Sequence, residues 1–193
     1  EFIESYFPLR IEKYETIPDS GGAGLHRGGN GLSVAYHFLC DGTIGIHDDR
    51  WLTYPWGVLG GDPGLRSTKK LVRKSGEVEF MPAKKEGIHV KAGDVLYFNT
   101  WGGGGWGDPL KREPARVLDD VKRNLATAEG ARRYGVVIEN GVVDEPKTTA
   151  LRAEMHASRE GELPVFNRGP DIETLRATCE QETGIKPPVS PLG

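Results

Sequence analysis

The chain has 193 residues, enough for one sizeable domain or a domain with an appendage. Its formal net charge is -3, with acids and bases mixed along its length, which argues against a nucleic-acid or membrane-surface role. The only cysteines, Cys40 and Cys179, have no metal or redox spacing, and no apolar run approaches the ~20 residues of a membrane span, so a reduced, cytoplasmic setting is expected.

The sequence opens on Glu1-Phe2-Ile3-Glu4 without an initiating Met and reads as a piece of something longer. Leu9, Ile11 and Ile17 alternate with polar neighbours, the pattern of a half-buried strand. Pro18 to Gly24 interrupts it, and six glycines fall between Ser20 and Leu32, with His26 and Arg27 at the centre of this first glycine loop. Leu32 to Cys40 reads as a strand, Asp41-Gly42 as a hairpin turn, and Thr43 to His47 as the returning strand. His47-Asp48-Asp49-Arg50 is the densest polar cluster. On an extended segment only His47 and Asp49 share a face, so an ion pair of Asp49 with Arg50 or Arg27 is preferred over a metal site.

A second glycine loop runs from Trp51 to Gly64 and mixes tryptophan with glycine. Short strands are expected at Thr68 to Val72 and Val78 to Met81, about the turn Lys74-Ser75-Gly76-Glu77. Another strand at Gly87 to Asp94 turns into Asp94 to Phe98, which enters the third and densest glycine stretch. There Trp101 and Trp106 flank four consecutive glycines, Gly102 to Gly105, before Gly107-Asp108-Pro109. Each glycine loses more freedom on folding than any other residue. The run therefore predicts positive φ at one or more of these glycines and, at one or more, contact with another backbone or ring too close for a methyl group, beneath largely buried tryptophans. A phosphate cradle is a poor fit, because no Lys-Ser/Thr follows the glycines and Asp108 places a carboxylate where an anion would sit.

Beyond Pro109 the pattern turns helical. Helices are expected over Pro114 to Leu125, Ala128 to Tyr134 (Thr127 as N-cap, Gly135 as stop), Pro146 to Ser158 and Asp171 to Thr183. Asn140-Gly141 marks a β-hairpin near 136–143, and Pro187 to Pro191 is a tail with no core of its own. The fold class is thus α+β: a β-rich, glycine-looped body over 1–108 and a helical C-terminal portion over 109–193. No Gly-x-Ser-x-Gly elbow accompanies the serines, and no two of the five histidines have helical metal-ligand spacing. His37 and His89 read as structural groups within strands. The residues alone leave a glycine-looped domain of open function.

Three phrases, in order, go further: Asp19-Ser20-Gly21-Gly22-Ala23-Gly24 with Arg27-Gly28-Gly29; Asp49-Arg50 leading to Pro55-Trp56-Gly57 and Gly60-Gly61-Asp62-Pro63-Gly64; and Gly102 to Pro109. Together with Ala131-Arg132-Arg133-Tyr134-Gly135, Gly141-Val142-Val143-Asp144 and Phe166-Asn167-Arg168-Gly169-Pro170, they resemble the C-terminal part of the hydantoinase B/oxoprolinase family. The family includes N-methylhydantoinase, 5-oxoprolinase, acetone and acetophenone carboxylases and caprolactamase. The resemblance implies a segment of an ATP-dependent heteromeric enzyme that hydrolyses a cyclic amide, with ketone carboxylation as the alternative. It implies a hydantoinase A-like partner that uses ATP, and places the metal-associated motifs in the N-terminal part of the B-like subunit. ATP and a divalent metal are accordingly expected elsewhere in the complex, none bound by this segment, and the isolated chain is expected to be inactive. A non-catalytic assembly module with Trp51, Trp56, Trp101 and Trp106 as interface anchors is the rival reading. The residues expected to line a site or interface are His26, Arg27, His47, Asp49, Arg50, Trp101, Gly103, Gly104 and Trp106, with an Arg27–Asp49 ion pair joining the first two glycine loops.

Overall fold

A computed structural model describes residues 2–189. The fold is α+β. Helix α1 (Phe2–Tyr6) leads into a five-stranded antiparallel sheet with strand order β1-β2-β8-β5-β6. Its strands are β1 (Leu9–Thr16), β2 (Leu32–Phe38), β5 (Thr68–Val72), β6 (Val78–Phe80) and β8 (Val95–Asn99). Strand β2 is an interior strand, between β1 and β8, and buries Val34, Ala35 and Phe38, as its β-branched and aromatic composition favours. The first strand pairs Leu9 with Phe38 and Thr16 with Leu32, with a bulge between Ile11 and Lys13.

A two-stranded ribbon, β3 (Gly42–His47) with β7 (Lys84–Val90), supplies a second layer. The Asp41-Gly42 hairpin expected between β2 and β3 is absent as a pairing. Both edges of β2 are already bonded, to β1 and β8, so β3 finds its partner in β7. The Asp41 carboxylate instead accepts the Ala92 N–H at 2.9 Å. Phe38, Leu71, Met81 and Leu96 pack with Ile46, Ile88 and Val90 to form the main apolar core.

The C-terminal elements are α2 (Pro114–Lys122), a 3-10 turn Gly130–Tyr134, the hairpin β9 (Ile138–Glu139) and β10 (Val142–Val143), α3 (Glu145–Ala157), β11 (Phe166–Asn167) and α4 (Ile172–Thr183). Helix α2 stops short of Leu125 because Asn124 turns left-handed at φ 56°. The expected helix at Ala128 to Tyr134 is only this 3-10 turn. Its start is tied by the Thr127 hydroxyl, which accepts the Gly130 N–H, and its end by Gly135 in the left-handed region. Asn140 and Gly141 both have positive φ, the geometry that a two-residue hairpin requires. Asp144 and Asp171 cap α3 and α4 by accepting the N–H groups of Lys147 and Thr174.

Strand β11 returns to pair with β4 (Gly57–Val58) inside the second glycine loop. Helix α4 buries Leu175 and Cys179, and Glu182 accepts from Arg66 at 2.5 Å. The tail is anchored, since Pro187 is buried; Ser190 and Pro191, like Glu1, lie outside the described residues. Among the described residues no helix is long and apolar enough to cross a membrane.

Candidate functional site

The three glycine loops meet in one layer, and backbone hydrogen bonds hold it together. Gly22 donates to the Gly103 carbonyl at 2.8 Å, and Gly103 donates to Gly29 at 2.8 Å. Gly105 donates to Asp62 at 2.8 Å, Asp62 to Ala23 at 2.7 Å, and Val58 to Gly105 at 2.9 Å. Every pair of loops is therefore joined directly. Side chains are excluded by contact: a Cβ on Gly104 would overlap the Trp56 carbonyl, one on Gly102 the Ser20 carbonyl, and one on Gly105 the Ala23 carbonyl. Close approach, not unusual φ, is what requires the glycines. None of Gly102 to Gly105 has positive φ, contrary to one expectation, and Gly107 takes that conformation instead, at 73°.

Amide groups that a phosphate would need are engaged within the layer. Besides Gly103 and Gly105, Gly102 donates to Leu65, Trp106 to His26 and Gly107 to Val58. The Asp108 carboxylate accepts the Leu110 N–H, closing the start of the next turn. A phosphate cradle does not fit this geometry.

Arginines and a carboxylate clamp the layer from the helical side. Arg133 donates to the carbonyls of Asp19 and Gly21, and Arg112 donates to Leu25 at 3.0 Å. Asp120 of α2 receives Arg112 at 2.8 Å and Arg27 at 3.2 Å, while Arg27 also donates to the Gly28 carbonyl at 2.8 Å. Asp19 stands in the left-handed region at φ 62°, held there by its carboxylate, which accepts both the N–H and the hydroxyl of Thr127. Asp108 is fixed by Arg159 at 2.8 and 2.5 Å; this hydrogen bond, against the opposing effect of burial, holds its carboxyl below the usual range. Burial pushes the Asp62 carboxyl up, and the nearby Arg133 only partly offsets it.

The outer face of the layer is aromatic. His26 and Trp106 exchange both backbone hydrogen bonds, and their rings lie 5.4 Å apart. Trp106 bridges to Val58, whose strand partner Phe166 meets Trp56 edge-on at 6.1 Å. Arg168 stacks on Trp56 with its guanidinium carbon 4.7 Å from the ring centroid. Trp56, Trp106 and Phe166 are exposed by 44, 46 and 55%. These groups offer aromatic faces, a guanidinium and an imidazole, the chemistry of recognition.

The structure thus brings His26, Arg27, Gly103, Gly104 and Trp106 into or against one layer. Trp101 adjoins it but is also exposed, so neither flanking tryptophan is the buried cover expected; only Trp51 is buried. The Arg27–Asp49 pair does not form, because Asp120 takes Arg27 and Asp49 lies 3.6 Å from Lys84. His47 and Asp49 do not form a joint site either: His47 pairs with Glu86 on the exposed ribbon. Asp49 likewise has no Arg50 pairing, and Arg50 contributes a backbone carbonyl to Ser67. The informative residue of that cluster is Asp48. It is fully buried against Lys69 and Ser67, and burial lowers the Lys69 pKa. Among the described residues no group of three metal-ligating side chains is assembled. Trp56 is among the expected interface anchors, whereas Asp120, Arg112, Phe166 and Arg168 escaped prediction as parts of this arrangement; the Phe166-Asn167-Arg168 phrase was the linear trace of the last two.

The family model described as hydantoinase B/oxoprolinase matches residues 1–109, a span that contains all three glycine loops. The chain is 36% identical over 161 residues to the beta subunit of caprolactamase from Pseudomonas jessenii, covering 79% of this chain and 27% of that one. It is 34% identical over 155 residues to the B subunit of a putative D-/L-hydantoinase from Pseudomonas sp. (strain NS671), covering 79% of this chain and 26% of that one. The crystal structure of the ATP-dependent caprolactamase from Pseudomonas jessenii superposes with a TM-score of 0.69 at 32% identity, over 79% of this chain and 27% of that chain. The chain spans about a quarter of the length of these relatives.

Proposed function

The chain belongs to the hydantoinase B/oxoprolinase family, and we propose that it acts as the C-terminal segment of a B-like component of an ATP-dependent enzyme that hydrolyses a cyclic amide. The observation that carries this reading is the family match across all three glycine loops, the part of the chain that forms the layer. The similarity to one component of a hydantoinase and one of a caprolactamase supports a cyclic amide as the substrate class.

In this reading the layer is a fixed scaffold. Its backbone is cross-bonded and clamped by Arg27, Arg112 and Arg133, so the outer face is held in one geometry without reorganisation on binding. His26, Trp106, Trp56 and Arg168 present that face to a hydantoinase A-like partner or to the bound amide. Gly103 and Gly104 set the spacing between the loops that carry those rings. Nucleotide and metal chemistry belong to the rest of the assembly, a division consistent with the engaged loop amides.

The test is reconstitution. The chain, the remainder of its B-like subunit and an A-like partner, mixed with ATP and caprolactam, hydantoin or oxoproline, are expected to yield the ring-opened acid. Omitting any one component should abolish product. Calorimetry of the isolated chain should detect no ATP binding. Micromolar ATP affinity of the chain alone would contradict the division of labour, and ketone carboxylation by the complex in place of ring opening would overturn the reaction.

A further inference from the structure

The main core is open on one side. A groove of about 350 Å³ runs over Leu9, Tyr36, Ile44 and Phe98, and its floor includes the core residues Phe38 and Leu96. A smaller groove of about 140 Å³ shares Leu9, Phe38 and Ile44 with it and continues past Phe7 and Cys40. Together they form an apolar trough between the sheet and the β3–β7 ribbon, at the end where α1 joins β1. Helix α1 adds to it. Ile3 lines the larger groove, while Phe2 and Tyr6 stack on each other at 4.7 Å and, with Phe7, stand exposed to solvent. The helix is pinned in place, since the Glu4 carboxylate accepts the Ile11 N–H at 2.7 Å.

An apolar trough that opens onto a core, beside a helix with exposed aromatic rings, marks an interaction surface. The occupant follows from two facts. Small-molecule sites carry a few convergent polar groups that fix orientation. This trough is lined mainly by aliphatic and aromatic side chains; among the described residues that line the larger groove, none is a carboxylate, lysine or arginine, and His47 is the one basic side chain. The second fact is length. The chain spans 26 and 27% of the two hydantoinase- and caprolactamase-type relatives, so most of such a subunit remains to be packed against it. We infer that the trough is the seam with the rest of the B-type subunit, which inserts apolar side chains between sheet and ribbon and covers Phe2, Tyr6 and Phe7. The partner's identity rests on the family reading above; the surface itself does not.

Cys40 provides the direct readout. It is exposed on the wall of the smaller groove, whereas Cys179 is buried. Maleimide should therefore label the native chain at Cys40. The chain is co-expressed with the remainder of its subunit as a separate polypeptide, and capture and labelling are measured on the complex. Labelling at Cys40 is expected to slow at least about tenfold, the change a 1.4 kcal/mol protection produces. Phe7→Asp and Ile44→Asp should weaken capture by about tenfold or more. Phe7 is exposed, so Phe7→Asp should keep the parent's melting temperature even if Ile44→Asp lowers it. The inference fails if no complex forms. It also fails if the complex leaves Cys40 freely labelled and Phe7→Asp binds as the parent does, or if Cys40 is protected by self-association of the chain alone. A complex with Cys40 protected but no ATP-dependent ring opening would sink the proposed reaction and leave the seam standing.

Discussion

In the sheet core, Leu71 and Met81 fill space with side chains, and their neighbours touch through methyl and methylene groups. In the glycine layer the neighbours are peptide groups, and Ser20, Ala23 and Trp56 bring carbonyls to where a Cβ would stand. The first region draws on hydrophobic burial, which is non-directional and forgiving of shape. The second draws on directional hydrogen bonds at fixed spacing and, at Gly102, Gly104 and Gly105, leaves no space for a methyl group. One chain therefore carries a core that tolerates repacking and a layer that does not, and it is the layer that bears the aromatic face.

The sharpest way to test this contrast is at Gly104. Ala there would meet the Trp56 carbonyl, a backbone atom unable to swing away, so Gly104→Ala should destabilise by more than about 4 kcal/mol or yield no folded protein. Gly103 lies in the same run, yet its nearest obstruction is the Gly29 nitrogen at 3.1 Å, a gap that small shifts relieve. Gly103→Ala should cost about 1–2 kcal/mol. Denaturant melts of the two variants, compared with the parent, check the difference. Equal stability of all three would reduce the run to a linker.

Next in size is the buried ion pair beneath the core. Lys69 shares a face of β5 with Leu71 and reaches Asp48 and Ser67, all three fully or nearly fully buried. Lys69→Ala strands a buried carboxylate and should cost about 3–5 kcal/mol. Replacing both partners, as Lys69→Met with Asp48→Leu, should recover most of the loss, because the desolvation cost of both charges disappears. If the double variant is no more stable than Lys69→Ala alone, the pair is not the cause. The apolar core itself sets the third magnitude. Leu71→Ala should cost about 2–5 kcal/mol and Leu71→Met less than about 1.5, by chemical denaturation.

How far this contrast was legible in the sequence depends on the range of the cause. Local causes could be read. Alternation gave β1, Asn140-Gly141 gave the hairpin, and Asp171 and Gly184 bracket α4 with the residue types that cap helices. The glycine run also announced that something approaches closely. What approaches it could not be read, since Trp56, Ala23 and Ser20 arrive from loops 48 to 82 residues away. Partner choice failed for the same reason. Arg27 and Asp49 looked suited to each other until α2 brought Asp120 to Arg27. Asp41-Gly42 has a good turn sequence, yet β2 was already bonded on both sides. Burial of Trp101 and Trp106 was inferred from their flanking the glycines, but a layer whose backbones touch has no interior for an indole, and the rings are turned outward.

The smallest effect concerns pH and isolates one clamp at the edge of the layer. Asp108 accepts from Arg159 and from the Leu110 N–H, and these bonds outweigh its burial, so its folded pKa lies below its unfolded value near 3.8. The folded state therefore holds the ionised form more firmly, and the contribution is fully present above the unfolded pKa. It is lost as pH falls through the folded value, because the unfolded chain takes up the proton first. Asp108→Asn should lower stability by about 1–3 kcal/mol at neutral pH, the range for hydrogen bonds to charged groups. The same variant should flatten the acid limb of the stability profile below about pH 4, and the gap between variant and parent should narrow there. Asp94 is also held low, by the Lys74 and Lys91 N–H groups and Arg73 against its burial, and Glu79 by Lys85 and then Arg73, so the acid limb will flatten without vanishing. Thermal melts of parent and variant from neutral pH into acid decide the matter. A gap that stays constant with pH would mean that Asp108 acts by shape alone and that the Arg159 contact contributes no charge-dependent stability.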